Sequence, residues 1–391
     1  MLARILGRSR SLFADDMSAE AGRLADAIAG RRLVVAGAAG SIGSAFVRQV
    51  ARFRPAALHL VDIDENGLVE LVRDLRSSPV PLPADFLTVS VDYGRPEFAR
   101  FSVDHAPYDA FVNFAAMKHV RAERDVYSLL RMIDVNVESL KRCLDLAPRL
   151  GLSRVFSVST DKSVRPANLM GATKNLMERL LFRRDLGPTA TSARFANVAF
   201  SAGSLLEGFE SRLSKGQPLS APTDVRRYFI TDGEAGELCL LACFLGESRQ
   251  VLFPKLDAAR HLVGLADVAV QLLQHHGYEP QLCASEREAI EAGGPSGRRW
   301  PCYFAPSDTT GEKMVEEFFR PSDVVDATRF RAAGVTREMP TDPAILDAFF
   351  AEIGRLRASW TWRKSDVVAA IHAAVPELEH DERGRNLDQK M

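Results

Sequence analysis

The stretch Arg32-Leu-Val-Val-Ala36 runs straight into Gly37-Ala-Ala-Gly40-Ser-Ile-Gly43, and the apolar-periodic run Ile42–Phe53 follows at once. A short β-branched strand, a glycine loop and a helix, in that order, predict the opening unit of a dinucleotide-binding fold. Glycine spacing alone is weak evidence, and a turn that merely joins strand to helix is the alternative. Context makes the signal strong, because a second strand closes on an acidic residue, Asp62, about 20 residues beyond Gly43. Gly37 permits the tight turn, Gly40 lets the backbone approach a pyrophosphate, and Gly43 lets helix and strand pack closely. The phosphates then sit on the helix N-terminus at Ser41 and Ile42, where unpaired N–H groups and the helix dipole favour negative charge.

The alternation continues to about Arg194. Strands are predicted at Leu33–Ala36, Ala57–Val61, Phe86–Val91, Ala110–Phe114, Arg154–Val158 and Thr191–Phe195, with helices near Ile42–Phe53, Asn66–Leu75, Pro96–Phe101, Leu129–Leu146 and Leu169–Phe182. That pattern specifies the α/β class: a Rossmann-type doubly wound parallel sheet with a smaller mixed α/β substrate lobe. The expected division is an N-terminal helical extension over 1–30, a dinucleotide-binding domain over 31–200, a substrate lobe over 201–330 with returns to the sheet, and a C-terminal helical extension over 331–391. Within these, Ala284–Arg299 reads as a flexible surface insertion and His380–Met391 as a disordered tail.

A formal net charge of −1 leaves no overall field to draw nucleic acid or an anionic membrane. The five cysteines form no CxxC pair, so no metal is assigned and a reducing cytoplasm is expected. Cys239 and Cys243 read as a buried helix face. Arg4, Arg8 and Arg10 have no apolar run behind them, so neither export nor a membrane span is expected. Residues 1–13 form either a frayed or partner-packing terminus or an amphipathic membrane-surface helix.

At the end of the second strand, Asp62 can accept hydrogen bonds from both ribose hydroxyls and would repel a 2′-phosphate, which favours NAD over NADP. It could instead cap the helix that begins near Asn66. The third strand ends in Val91-Asp92-Tyr93.

Two more segments carry the chemistry. One is Asn113-Phe-Ala-Ala-Met-Lys118-His119-Val; the other is Val158-Ser-Thr160-Asp161-Lys162-Ser-Val-Arg-Pro-Ala-Asn-Leu-Met170-Gly-Ala-Thr-Lys174. Together they resemble the bacterial UDP-N-acetylglucosamine 4,6-dehydratases of the polysaccharide-biosynthesis, CapD-like group, which are extended short-chain dehydrogenases/reductases. The resemblance runs through Arg194-Phe-Ala-Asn197-Val, Arg227-Tyr-Phe-Ile-Thr231 and Gly311-Glu312-Lys313 and covers about residues 30–320. It departs at Asn113 (usually histidine), Ala36 (threonine), Ala196 (glycine) and Thr309-Thr310 (Arg-Pro). Those departures leave the sugar and the nucleotide open.

The general dehydrogenase motif is Tyr-x-x-x-Lys, with the lysine one helical turn beyond the acid/base tyrosine. Here the tyrosine position is Met170, while Lys174 remains. Methionine carries no proton, so Asp161 is the candidate base. The resemblance implies membership of the methionine-containing subgroup that retains configuration at C5. Hydride then leaves C4 of the hexose for NAD, water is lost across C5 and C6, and the hydride returns at C6. Asp161 and Lys162 share the proton transfers, and Thr160 bonds the C4 oxygen.

The resemblance also assigns Asp92, Tyr93, Ile63, Ala115, Ala116 and Asn136 to the cofactor. It assigns Lys118, His119, Asn197 and Arg227 to the nucleotide sugar, with Arg226 solvated and His119 equally readable as a structural histidine. The run Val137–Leu146, paired with Leu176–Phe182, suggests the helical seam of a homodimer or higher oligomer. Burial inside one chain explains the same stripe. Two other readings stand beside the dehydratase: a 4-epimerase or plain dehydrogenase, and a catalytically inactive NAD-binding regulatory protein.

Overall fold

The computed structural model describes residues 5–307 and 316–380. Its strands are β1 (Arg32–Ala36), β2 (Ala57–Asp62), β3 (Asp85–Ser90), β4 (Ala110–Asn113), β5 (Arg154–Val158), β6 (Thr189–Ala193), β7 (Asn197–Val198), β8 (Leu219–Pro222), β9 (Arg226–Ile230), β10 (Gln250–Pro254), β11 (Leu262–Gly264), β12 (Glu279–Leu282), β13 (Arg299–Ala305), β14 (Val325–Asp326) and β15 (Ala333–Arg337). Nine of them form one sheet in the order β14-β15-β10-β6-β5-β4-β1-β2-β3. The central strands are buried along almost their whole length because helices cover both faces. One face packs on the helices Ser41–Val50 and Asp232–Leu245, the other on Ser139–Leu150 and Leu169–Leu181.

Strand β1 pairs in parallel with β2 on one side and with β4 on the other. The chain therefore leaves the C-terminal ends of β1 and β4 in opposite directions. That switch point opens the crevice in which sheets of this kind hold ligands.

Two small sheets, β11-β9-β7 and β12-β13-β8, build the second lobe. The chain returns from it to the main sheet through β10, which is parallel to β6, and through β15 and β14, which run antiparallel. The sheet is thus parallel over seven strands with an antiparallel edge.

Several expectations are corrected. Strand β6 begins and ends two residues earlier than predicted, because Thr189–Ala193 aligns with Arg154–Val158 and the register with β5 ends at Ala193. The single helix expected over 129–146 is two helices, Val126–Ile133 and Ser139–Leu150, joined by a π-helical turn at Asp134–Glu138. The segment 284–299, largely exposed, carries a short helix of its own: Ser285 caps Glu286–Ala292, Ala289 is buried, and a tight turn leads into β13. Where it is described, the N-terminus is packed on the chain itself: Ile5 and Leu6 lie in the second lobe and Arg8 pairs with Glu234.

The stripe Val137–Leu146 with Leu176–Phe182 is buried within the chain. The C-terminal helices Pro343–Ser359 and Lys364–Ala374 lie over it, placing Phe349, Ile353, Val367 and Ile371 in the same core. Cys239 and Cys243 are buried on the helix Asp232–Leu245. No helix among the described residues is long and apolar enough to cross a membrane. The tail residues 381–391 and the Thr309–Lys313 segment lie outside the described residues.

Candidate active site

At the C-terminal end of β1, Gly37 has φ +72°, and a Cβ there would lie 2.4 Å from the backbone nitrogen of Ala115. A Cβ on Gly43 would lie 2.1 Å from the carbonyl oxygen of Gly37. Both positions are closed to any other residue, so the loop and the chain after β4 touch backbone to backbone. Gly40, by contrast, has nothing nearer than 3.5 Å where a Cβ would stand. The helix that starts at Ser41 has no side-chain cap, whereas Asp64, Asp125 and Asn168 cap the helices at 65–76, 126–133 and 169–181. Such caps are worth about 0.5–2 kcal/mol each. Leaving one out where backbone N–H groups converge fits an anion, and thus the pyrophosphate of a dinucleotide.

Asp62 does not cap the following helix; Asp64 does, by accepting from the Gly67 N–H. The Asp62 carboxylate instead accepts from Ala39 N–H of the glycine loop at 2.9 Å and from Asp64 N–H at 3.0 Å. It is fixed beside the loop with Ile63 exposed next to it. Ser41 accepts from Ala202 N–H and so ties the loop to the second lobe.

The second half of the site is the turn after β5. Asp161 is buried and accepts from the Thr160 hydroxyl at 2.7 Å and from the Lys162 ammonium at 3.3 Å. This turn lies flat on the helix Leu169–Leu181 because a Cβ on Gly171 would be 2.3 Å from the Lys162 carbonyl oxygen. The glycine of the Met-Gly-Ala-Thr-Lys run is therefore a packing requirement of the turn at Asp161–Ser163. Lys174, one turn beyond Met170, is buried and donates to the Val158 carbonyl at 2.9 Å. Burial pulls its pKa down to about 8 against the opposing pull of Glu178. Met170 is buried, and the Glu123 carboxylate accepts its backbone N–H.

Other expected contacts are placed differently. Asn136 spends its amide on the Met117 backbone and the Thr173 hydroxyl, so it holds the loop after β4 and does not reach into the crevice. Tyr93 turns its ring into the core against Phe98 and Phe111 and donates to the Val135 carbonyl, which leaves only its backbone for a cofactor. Asp92 is ion-paired with Arg131 and accepts from Gly94 N–H. Ala115 and Ala116, half-buried, follow β4 beside Gly37. Lys118 is exposed 3.5 Å from the Ser201 hydroxyl, and His119 lays its ring over Gly203. Arg226 donates to the Leu262 carbonyl at the surface.

Asn197 and Arg227 do come together, but on a carboxylate. Glu316 is buried; its Oε1 accepts from Asn197, its Oε2 accepts from Tyr228 N–H at 2.7 Å, and the Arg227 Nε lies 3.9 Å away. Sequence reasoning missed Glu316. It also missed the support beneath the turn: Ser163 donates to Glu178, which receives two hydrogen bonds from the fully buried Arg194. Arg194 further donates to Glu338 and to the Phe318 carbonyl. Burial pushes the Glu178 carboxyl up, but the Arg194 guanidinium, with the Ser159 and Ser163 hydroxyls, more than offsets this and holds it below the usual range.

The sequence profile of the polysaccharide biosynthesis protein family matches residues 33–337. The uncharacterized membrane protein MJ1061 of Methanocaldococcus jannaschii is 31% identical over 258 residues, which are 64% of this chain and 74% of that one. The capsular polysaccharide biosynthesis protein CapD of Staphylococcus aureus is 30% identical over 67% of this chain, a match that spans only 44% of CapD. A Campylobacter jejuni UDP-N-acetylglucosamine 4,6-dehydratase (inverting) is 24% identical over 63% of this chain and 73% of its own. Among solved structures, Pen from Bacillus thuringiensis superposes with a TM-score of 0.64 at 19% identity, covering 80% of this chain and 88% of Pen. WbmG from Bordetella bronchiseptica, solved in complex with NAD, gives a TM-score of 0.52 at 18% identity over 71% of this chain and 85% of WbmG. At these identities the structures show the shared Rossmann-type fold.

Proposed function

The chain belongs to the polysaccharide biosynthesis protein family, and on that premise we propose that it is an NAD-dependent 4,6-dehydratase of a UDP-linked N-acetylhexosamine, UDP-N-acetylglucosamine foremost, serving surface glycan biosynthesis. The observation that carries the reading is the meeting, at one end of the sheet, of an uncapped glycine-loop helix with the buried Asp161–Lys162 pair and Lys174. The relative from C. jejuni, named for this reaction, supports it.

Bound NAD supplies the acceptor for the C4 hydride and its donor to C6. The uncapped N-terminus at Ser41 to Gly43 would hold the pyrophosphate, Asp62 the adenine ribose, and Ile63 the face of the adenine ring. Lys174, with its pKa lowered only to about 8, is mostly protonated at neutral pH and can donate to a ribose hydroxyl. Asp161 takes the C4 hydroxyl proton as that carbon is oxidised, with Thr160 steering the oxygen. The C4 ketone acidifies the C5 proton; the Lys162 ammonium protonates the departing C6 hydroxyl and the neutral amine so left takes the C5 proton, while Asp161 keeps the C4 proton for return to C5. Hydride then adds to C6 and a proton returns to C5, so the net change is loss of one water. Met170 takes no proton in this scheme, which fits the retaining subgroup.

Purified protein incubated with a panel of nucleotide sugars should convert a UDP-N-acetylhexosamine to a product lighter by one water in mass spectrometry, without build-up of reduced cofactor. Reduced cofactor accumulating with no water lost would mark a simple dehydrogenase. An unchanged mass with inverted C4 would mark an epimerase.

A further inference from the structure

Glu316 has no part in the scheme above, yet it sits where three elements of the site converge. Its two oxygens take the Asn197 side chain from β7 and the Tyr228 N–H from β9. The Arg227 guanidinium flanks it, and the Asp161 and Lys162 charges face it from the catalytic turn. We propose that Glu316 is a positioning residue of the reaction: its buried carboxyl holds Asn197 and Arg227 in place beside the turn and leaves the Lys162 ammonium to Asp161. The inference rests on the dehydratase reading for its kinetic consequences but not for its protonation.

The physical case starts from burial. A carboxylate taken out of water needs compensating charge; here the Lys162 ammonium is engaged by Asp161, and the Arg227 Nε stands 3.9 Å away, beyond hydrogen-bond reach. Burial pushes the Glu316 carboxyl up, the neighbouring Asp161 carboxylate pushes it further, and the Tyr228 N–H, Lys162 and Arg227 only partly offset them; it stands at about 8. The other titratable group facing it is the Tyr228 phenol, itself pushed up by burial and by Glu316. Were Glu316 charged, two carboxylates would compete for Lys162, and the acid/base pair would lose its fixed partnership. Neutral, it can still accept both hydrogen bonds.

The neutral amide is the discriminating substitution. Glu316→Gln should keep kcat and KM within a few-fold of wild type, whereas Glu316→Ala, which releases Asn197 and Arg227, should lower kcat/KM by about 10²-fold, mostly through KM. Thermal unfolding between pH 6 and 9.5, with no substrate present, reads the proton directly. A carboxyl whose folded pKa is raised binds its proton more tightly in the folded protein, so its contribution is full below the unfolded value and is lost as pH rises toward about 8. Wild type should therefore lose stability relative to Glu316→Gln across that window. A constant difference between the two melting profiles, or Glu316→Gln as damaged as Glu316→Ala, would overturn the neutral carboxyl; wild-type kinetics in Glu316→Ala would overturn the positioning role. A wild type that converts no nucleotide sugar would instead count against the dehydratase reading, with the melting comparison still judging Glu316.

Discussion

Asp161→Asn lowers turnover by about 10²-fold or more while the protein keeps its bound cofactor. The substitution preserves shape, and the amide oxygen can still accept from the Thr160 hydroxyl that now donates to Asp161 at 2.7 Å. What it removes is the basic charge and the ion pair with Lys162. Asp161 is buried against the helix Leu169–Leu181 and lies well apart in sequence from the glycine loop, so cofactor content, read by chromatography after heat release, should not change. Turnover is read as product lighter by one water. Wild-type turnover in this variant would put the proton on another group, and a joint loss of cofactor and activity would mean a collapsed site.

Arg194→Met costs about 3–5 kcal/mol of folding stability at neutral pH, the usual result of stranding a buried carboxylate. Arg194 has no solvent exposure and joins Glu178, Glu338 and the Phe318 carbonyl. Removing it leaves two carboxylates facing a site built for a cation. It also frees the support of the catalytic turn, because the same Glu178 accepts from Ser163. The sign with pH follows from the direction of the Glu178 shift. A carboxyl held below its usual range contributes stability above that range and loses it as pH falls through the folded value. The deficit of Arg194→Met should thus be full at neutral pH and shrink in acid, as urea titrations at several pH values would show. A pH-independent deficit would mean that lost packing, not stranded charge, is the cause.

Local chemistry was readable in the sequence because it is written in short runs. Strand, glycine loop and helix are contiguous from Arg32 to Val50, and Thr160 to Lys174 carries both the turn and the helix that supports it. What could not be read depends on distant segments meeting. Glu316 bonds Asn197 from 119 residues away, and Arg194 meets Glu338 from 144 residues away. Nothing in the local pattern of either stretch reports such a partner. The same holds for the stripe Val137–Leu146, whose periodicity is identical whether a second copy or the chain's own C-terminal helices cover it. Asn136 depends on distant segments too: its type suits a ligand, and the π-helical turn aims its amide at Met117 and Thr173. The segment 284–299 has the glycine content of a loose insertion, and it joins the second lobe through the strand it leads into, β13, which pairs with β12 and β8.

In the proposed reaction, oxidation at C4 and reduction at C6 are two halves of one turnover, run with the same hydride. The most direct measurement is a single incubation of the enzyme with UDP-N-acetylglucosamine deuterated at C4, with the product read by NMR and mass spectrometry. The label should leave C4 and appear on C6 of a product that has lost one water, with no net change in cofactor oxidation state. Deuterium retained at C4, or lost from a dehydrated product altogether, would contradict it.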